Sequence, residues 1–157
     1  MTEKIEENAN VNFNPLKAFV ILLIFSYILG GGFEINLFFP AFVNFIGLLF
    51  LLKSVFIFII SIKIFFAHKE KLPPSTSTNK IIKTGIYSYT RNPIYLAFVL
   101  FQIGMFLVFV NIYYLFSSLV LIVWLNFHVI KAEERYLEKK FNDEYLRYKN
   151  NVPRWFL

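Results

Sequence analysis

Residues 84–98 read TGIYSYTRNPIYLAF, a polar, tyrosine-rich loop that passes through Asn92-Pro93 straight into an apolar helix. Asn is a favoured N-cap, and Pro suits the first helical position because its missing N–H would be unpaired there in any case. The order predicts a helix that starts at Pro93. The N–H groups that follow, at Ile94 and Tyr95, have no partner inside such a helix and carry partial positive charge. They offer a place for a carboxylate or phosphate. Arg91, Tyr87, Tyr89 and Tyr95 crowd the same point. A structural turn at the edge of a bilayer has no use for so many polar groups, so the stretch reads as a ligand site.

That the solvent is lipid follows from composition. The 157 residues are 57% hydrophobic and 20% aromatic, with 21 Phe, and the mean hydropathy is +0.58. Soluble domains are usually about 45–50% apolar. Cysteine is absent, which excludes disulfides, thiolate catalysis and cysteine-based zinc or iron–sulfur sites. No metal ligation and no nucleophilic residue is expected. Residues 1–14, with Glu3, Glu6 and Glu7, lack the charged-then-apolar order of a signal peptide. The formal charge of +6 sits beside apolar spans, so anionic membrane lipids, not nucleic acid, are the expected partner.

Four stretches approach the roughly 20 apolar residues of a spanning helix. They run about from Leu16 to Leu29, meeting three glycines, from Ala41 to Ala67, from Pro93 to Val110, and from Ile112 to Ile130. The last continues without a breaker into a charged segment. A polar connector, residues 68–92, separates the second from the third. Lys69, Lys71, Lys80, Lys83 and Arg91 lie in the connector, and Lys131, Arg135, Lys139, Lys140, Arg147, Lys149 and Arg154 in the tail. The opposite loops, residues 30–40 and the turn at Asn111, hold no Lys or Arg. Both termini, the connector and the site are therefore expected on the cytoplasmic side. The expected fold is all-α: a polytopic membrane protein of about four spans, with a C-terminal amphipathic helix packing on the cytoplasmic connector. Residues 1–157 read as one membrane domain, with 1–67 the N-terminal helices and 68–157 the ligand-binding part.

Leu137, Phe141, Tyr145 and Tyr148 recur at helical spacing and form one apolar stripe. Glu133 lies one turn before Leu137 on that stripe, and Glu134 lies off it. A carboxylate on an inward face needs a partner. That partner is either Arg91 or a connector lysine, in a salt bridge, or a cationic or hydroxyl-bearing ligand. Lys53, deep in the second span, is either functional or snorkels to the surface. Tyr89, Arg154 and Trp155 read as interfacial anchors, His128 as a polar residue near a helix end, and Gly104 as a point of close helix packing.

The order GxYxYxRxPxYL over residues 85–96, an apolar hairpin, then EExxLxxxFxxxYxxYxxxVPR over residues 133–154 resembles the isoprenylcysteine carboxyl methyltransferase and phospholipid methyltransferase family of integral membrane enzymes. The resemblance covers residues 79 to the end and implies S-adenosylmethionine as methyl donor. Carried over, the donor site would use Asn79, Lys80, Ile81, Ile82, Tyr87, Asn92, Pro93, Ile94, Tyr95 and Glu133; beside that map, Arg91 and Glu134 are the candidate substrate-binding residues. The acceptor would be lipid-like or isoprenoid, a carboxylate, amine or hydroxyl, methylated by in-line displacement. Two positions depart from the pattern. Asn92 stands where many members have His, and Val129 stands where prenylcysteine enzymes carry a substrate-binding Arg, with His128 and Lys131 beside it. An NADPH-dependent reductase of the sterol-reductase type shares a related RxPxY and acidic-helix layout and is the nearest alternative; a small membrane scaffold or transport protein is the other. The size is compatible with a homodimer, but nothing in the sequence specifies one.

Overall fold

The computed structural model describes residues 9, 11, 13–33, 37–70, 76 and 78–155. Glu3, Glu6, Glu7 and Lys71, with parts of the connector and of the first loop, lie outside the described residues. Six α-helices follow one another: α1 (Pro15–Gly32), α2 (Phe42–Ala67), α3 (Pro93–Phe109), α4 (Ile112–Trp124), α5 (Lys131–Phe141) and α6 (Asp143–Asn151). A 3₁₀ turn, Gly85–Ser88, precedes α3, and a π-helical segment, Leu125–Ile130, joins α4 to α5. No strand occurs among the described residues.

Three helical stretches are long and apolar enough to cross a membrane: α1, α2 and the continuous run Ile112–Phe141. Of the four expected spans, α3 falls just short at 17 residues. Helix α1 extends through all three glycines, and α2 begins one residue after the expected Ala41. Asn14 caps α1, its Oδ1 accepting the Leu16 N–H at 2.8 Å, and Asn111 caps α4 by accepting the Tyr113 N–H at 3.0 Å.

The helices α2 and α3 pack closely, and α4 lies between α3 and α1. Two glycines set the α2–α3 approach. A Cβ on Gly47 would stand 2.7 Å from the Val108 N, and one on Gly104 would stand 2.8 Å from the Leu51 side chain. Small residues let backbones approach where lipid provides no hydrophobic drive. Polar groups tie the rest. Ser54 Oγ donates to Ala97 O at 2.8 Å and Asn44 Nδ2 to Val108 O at 2.7 Å. Ser26 bonds Tyr113 O and Ser117 across α1 and α4. We expect Gly47→Ala to cost about 1–3 kcal/mol by overpacking. Gly31→Ala, where nothing stands within 4 Å, should stay within about 0.5 kcal/mol of wild type. Thermal unfolding in detergent measures both, and equal stability of the two variants would refute the packing argument.

The tail differs from the single helix expected. Asn142, at φ 45°, ends α5 and starts α6: its N–H donates to Glu138 O, and its carbonyl accepts the Tyr145 and Leu146 N–H groups. Asn tolerates positive φ better than most residues. The apolar stripe survives the break. Tyr145, Tyr148 and Val152 form a buried cluster against Leu137, Phe141 and Ile81, so the tail does pack on the connector.

Candidate active site

The connector returns to α2 before α3 begins. Gly85, at φ 62°, lets the chain turn against Ile64, whose Cδ1 would stand 2.6 Å from any added Cβ. This turn buries Tyr87 between Phe65, at a ring distance of 5.7 Å, and Tyr148, whose hydroxyl donates to Tyr87 O at 2.7 Å. Thr90 is fully buried. Its Oγ1 accepts the Asn92 N–H at 3.3 Å and donates to Arg154 O at 3.0 Å.

Asn92 occupies the cap position of α3, but its side chain makes no capping bond. Its Nδ2 donates instead to Arg154 O at 3.0 Å. The expected cap is therefore corrected: a tertiary bond to the tail has taken the side chain, and the backbone carbonyl alone starts the helix by accepting the Leu96 N–H. The N–H groups of Ile94 and Tyr95 consequently precede the first helical bond, as expected.

Of the alternatives expected for Glu133, the salt bridge to Arg91 or a connector lysine is not formed among the described residues. Glu133 is not the partner of Arg91; it accepts the Tyr95 hydroxyl on Oε1 at 2.7 Å. Glu134, 7% exposed, takes Arg91 Nη1 at 3.0 Å and the forked guanidinium of Arg154 at 3.0 and 2.6 Å. Both carboxylates line one cavity. Arg91 also donates to the Tyr145 hydroxyl at 3.3 Å. Its Nε, and the Tyr87 hydroxyl, are buried with no hydrogen-bond partner.

The tail is strapped over these groups. The Arg91 N–H donates to Pro153 O at 3.0 Å, and Asn126 Oδ1 accepts from Arg154 Nη1 and Trp155 Nε1 at 3.3 and 3.1 Å. Arg154 and Trp155 thus bind inward to Asn126 and Glu134, which corrects their reading as interfacial anchors. The hydrogen bond to Glu134 holds the Arg154 guanidinium above its usual range, against the opposing effect of burial. Burial pushes the Tyr145 phenol up to about 12, opposed by the Arg91 charge. It also raises Tyr87 and Tyr148 well above the phenol range. These tyrosines remain protonated donors at neutral pH.

A cavity of about 470 Å³ lies at the centre, within the roughly 300–1,000 Å³ of small-molecule sites. Lys80, Ile81, Ile82, Tyr87, Arg91, Asn92, Pro93, Ile94, Tyr95, Glu133 and Glu134 line it. Of the expected site residues only Asn79 stands outside the lining, its N–H bound to Glu70. Phe58, Ile62 and Phe65 of α2, Leu16 of α1 and Phe98 of α3 add an apolar part. Sequence reading missed Glu70, Tyr136 and Asn126, and it took Tyr145 and Tyr148 for packing alone. Glu70 carried one signal, being the sole acid in the basic connector. Tyr89 is 63% exposed and outside the lining. His128 is exposed, its ring 6.2 Å from Trp124, and Lys131 lies over Phe127 at 4.3 Å. Neither lines the cavity in place of an Arg at Val129. Lys53 and Lys63 both lie on the exposed side of α2.

Over 77 residues the chain is 39% identical to the protein-S-isoprenylcysteine O-methyltransferase of Saccharomyces cerevisiae, which covers 48% of this chain and 32% of that protein. Over 37 residues it is 51% identical to an uncharacterized protein of Haemophilus influenzae, covering 24% of this chain and 59% of that protein. The chain thus spans about a third of the yeast relative and three-fifths of the bacterial one. No solved structure matches. The family model described as phospholipid methyltransferase matches residues 43–144, which run from α2 through the connector and α3 to the start of α6. With two-thirds of its length matched, the chain belongs to the phospholipid methyltransferase family.

Proposed function

We propose that this protein is a membrane-embedded S-adenosylmethionine-dependent methyltransferase acting on a lipid-like acceptor. One observation carries the reading: a single cavity joins unpartnered polar groups to apolar walls. The residues present fit the donor. Its carboxylate matches the Arg91 Nε–H and the free N–H groups of Ile94 and Tyr95. Its ammonium matches Glu133, and the orphaned Tyr87 hydroxyl supplies a further hydrogen-bonding group.

When bound, the donor supplies an activated methyl on a sulfonium, displaced in line by an acceptor lone pair while the neutral thioether leaves. The protein's task is then alignment and exclusion of water, and positioning alone can supply roughly 7–11 kcal/mol. The strap of residues 152–155 fixes Arg91, Asn92 and Glu134 relative to α3. Tyr95 holds the Glu133 carboxylate in one orientation. Phe58, Ile62, Phe65 and Phe98 keep the acceptor end apolar. The acceptor's reactive group, a carboxylate, amine or hydroxyl, would meet the donor where these walls end.

The distribution of Lys and Arg supports a cytoplasmic site and cytoplasmic termini. The test is calorimetric titration of the detergent-purified protein with S-adenosylhomocysteine and, separately, NADPH. Saturable binding of the first and none of the second is expected. Binding of NADPH by a folded protein that ignores S-adenosylhomocysteine would overturn the reading in favour of a reductase.

A further inference from the structure

The cavity holds another carboxylate with no part in the reading above. Glu70, just beyond the end of α2, is 5% exposed and lines the cavity. Its two oxygens share one donor, the Asn79 N–H, at 3.2 and 3.1 Å. A carboxylate can accept about four hydrogen bonds. Among the described residues the ion-paired carboxylates are Glu134, Glu138 and Glu144, and Glu70 forms no ion pair with any described residue. Burying an anion with so little compensation is costly, which fits a group kept for donors that a ligand brings.

The neighbours narrow the choice of ligand group. Glu70 is bound by the Asn79 N–H, next in sequence to Thr78, whose N–H donates to the Tyr136 hydroxyl at 3.2 Å, and it lines the same cavity as the aliphatic Ile81 and Ile82. Glu70 enters the cavity from the connector side, whereas the α3 N-terminus and Glu133 of α5, which the proposed reading gives to the amino-acid end of the donor, enter it from other elements. The nucleoside end is what remains to be placed. Its two vicinal ribose hydroxyls are a paired donor set for one carboxylate, the pairing an acidic residue makes with ribose in dinucleotide sites. Aliphatic and tyrosine surfaces suit the flat base next to it.

We infer that Glu70 binds the ribose hydroxyls of the methyl donor and discriminates ligands by them; this rests on the donor reading. The test titrates the full chain in detergent with S-adenosylhomocysteine and its 2′-deoxy and 3′-deoxy analogues, for wild type and Glu70→Gln. The amide keeps an oxygen for the Asn79 N–H, so the loop retains its bond. Wild type should bind the deoxy analogues about 10- to 100-fold more weakly, the scale of hydrogen bonds to a charged acceptor. Glu70→Gln should bind S-adenosylhomocysteine weaker by a similar factor and no longer distinguish the three ligands. If the variant loses the same factor for all three, or keeps wild-type discrimination, Glu70 only closes the loop and the inference fails while the donor reading stands. If folded wild type binds none of them, both fail together.

Discussion

Glu134→Gln should destabilise the protein by about 3–5 kcal/mol in detergent unfolding, the cost of removing one partner from a buried ion pair. Its side chain and that of Arg91 are each 9% exposed, and Arg154 is 29% exposed. Most of the loss should therefore come from Arg91, because water screens the more open Arg154. Replacing both Glu134 and Arg91 by apolar residues of similar volume should recover much of the loss, since the desolvation cost disappears with the charges. A single variant within about 1 kcal/mol of wild type would show that Arg91 is not stranded. The same change should loosen the strap, because Glu134 is where Arg154 closes it.

Elements governed by composition and period were legible in the sequence. The apolar runs became helices with ends within a few residues of expectation, and the Leu137–Tyr148 stripe became a buried cluster despite the break at Asn142. The loop before Pro93 did form one wall of a cavity. What could not be read depends on tertiary partners. Asn14 and Asn92 both precede Pro at a helix start, yet only Asn14 caps, because Arg154 O competes for the Asn92 side chain. LNFHVI contains no breaker, so its π-helical winding is silent in the sequence. Glu70 joins the site only through closure of the connector onto Asn79.

Glu133→Gln should act in the opposite sense to Glu134→Gln on stability, and more strongly on binding. Glu133 has one neutral partner, the Tyr95 hydroxyl, and among the described residues it makes no ion pair. An amide can still accept that hydroxyl, while the cost of a desolvated charge is removed. Unfolding stability should therefore hold or rise, by up to about 1 kcal/mol. Affinity for S-adenosylhomocysteine should fall about 10- to 100-fold, as expected on losing a charged hydrogen-bond partner for an ammonium. A residue that lowers stability by its presence and raises affinity is the mark of a site built for its ligand rather than for the fold. Paired measurements on the purified variant, calorimetric titration and thermal unfolding, check both signs. Unchanged affinity would remove Glu133 from the donor site. A joint loss of affinity and several kcal/mol of stability would make it a structural partner of Tyr95 instead.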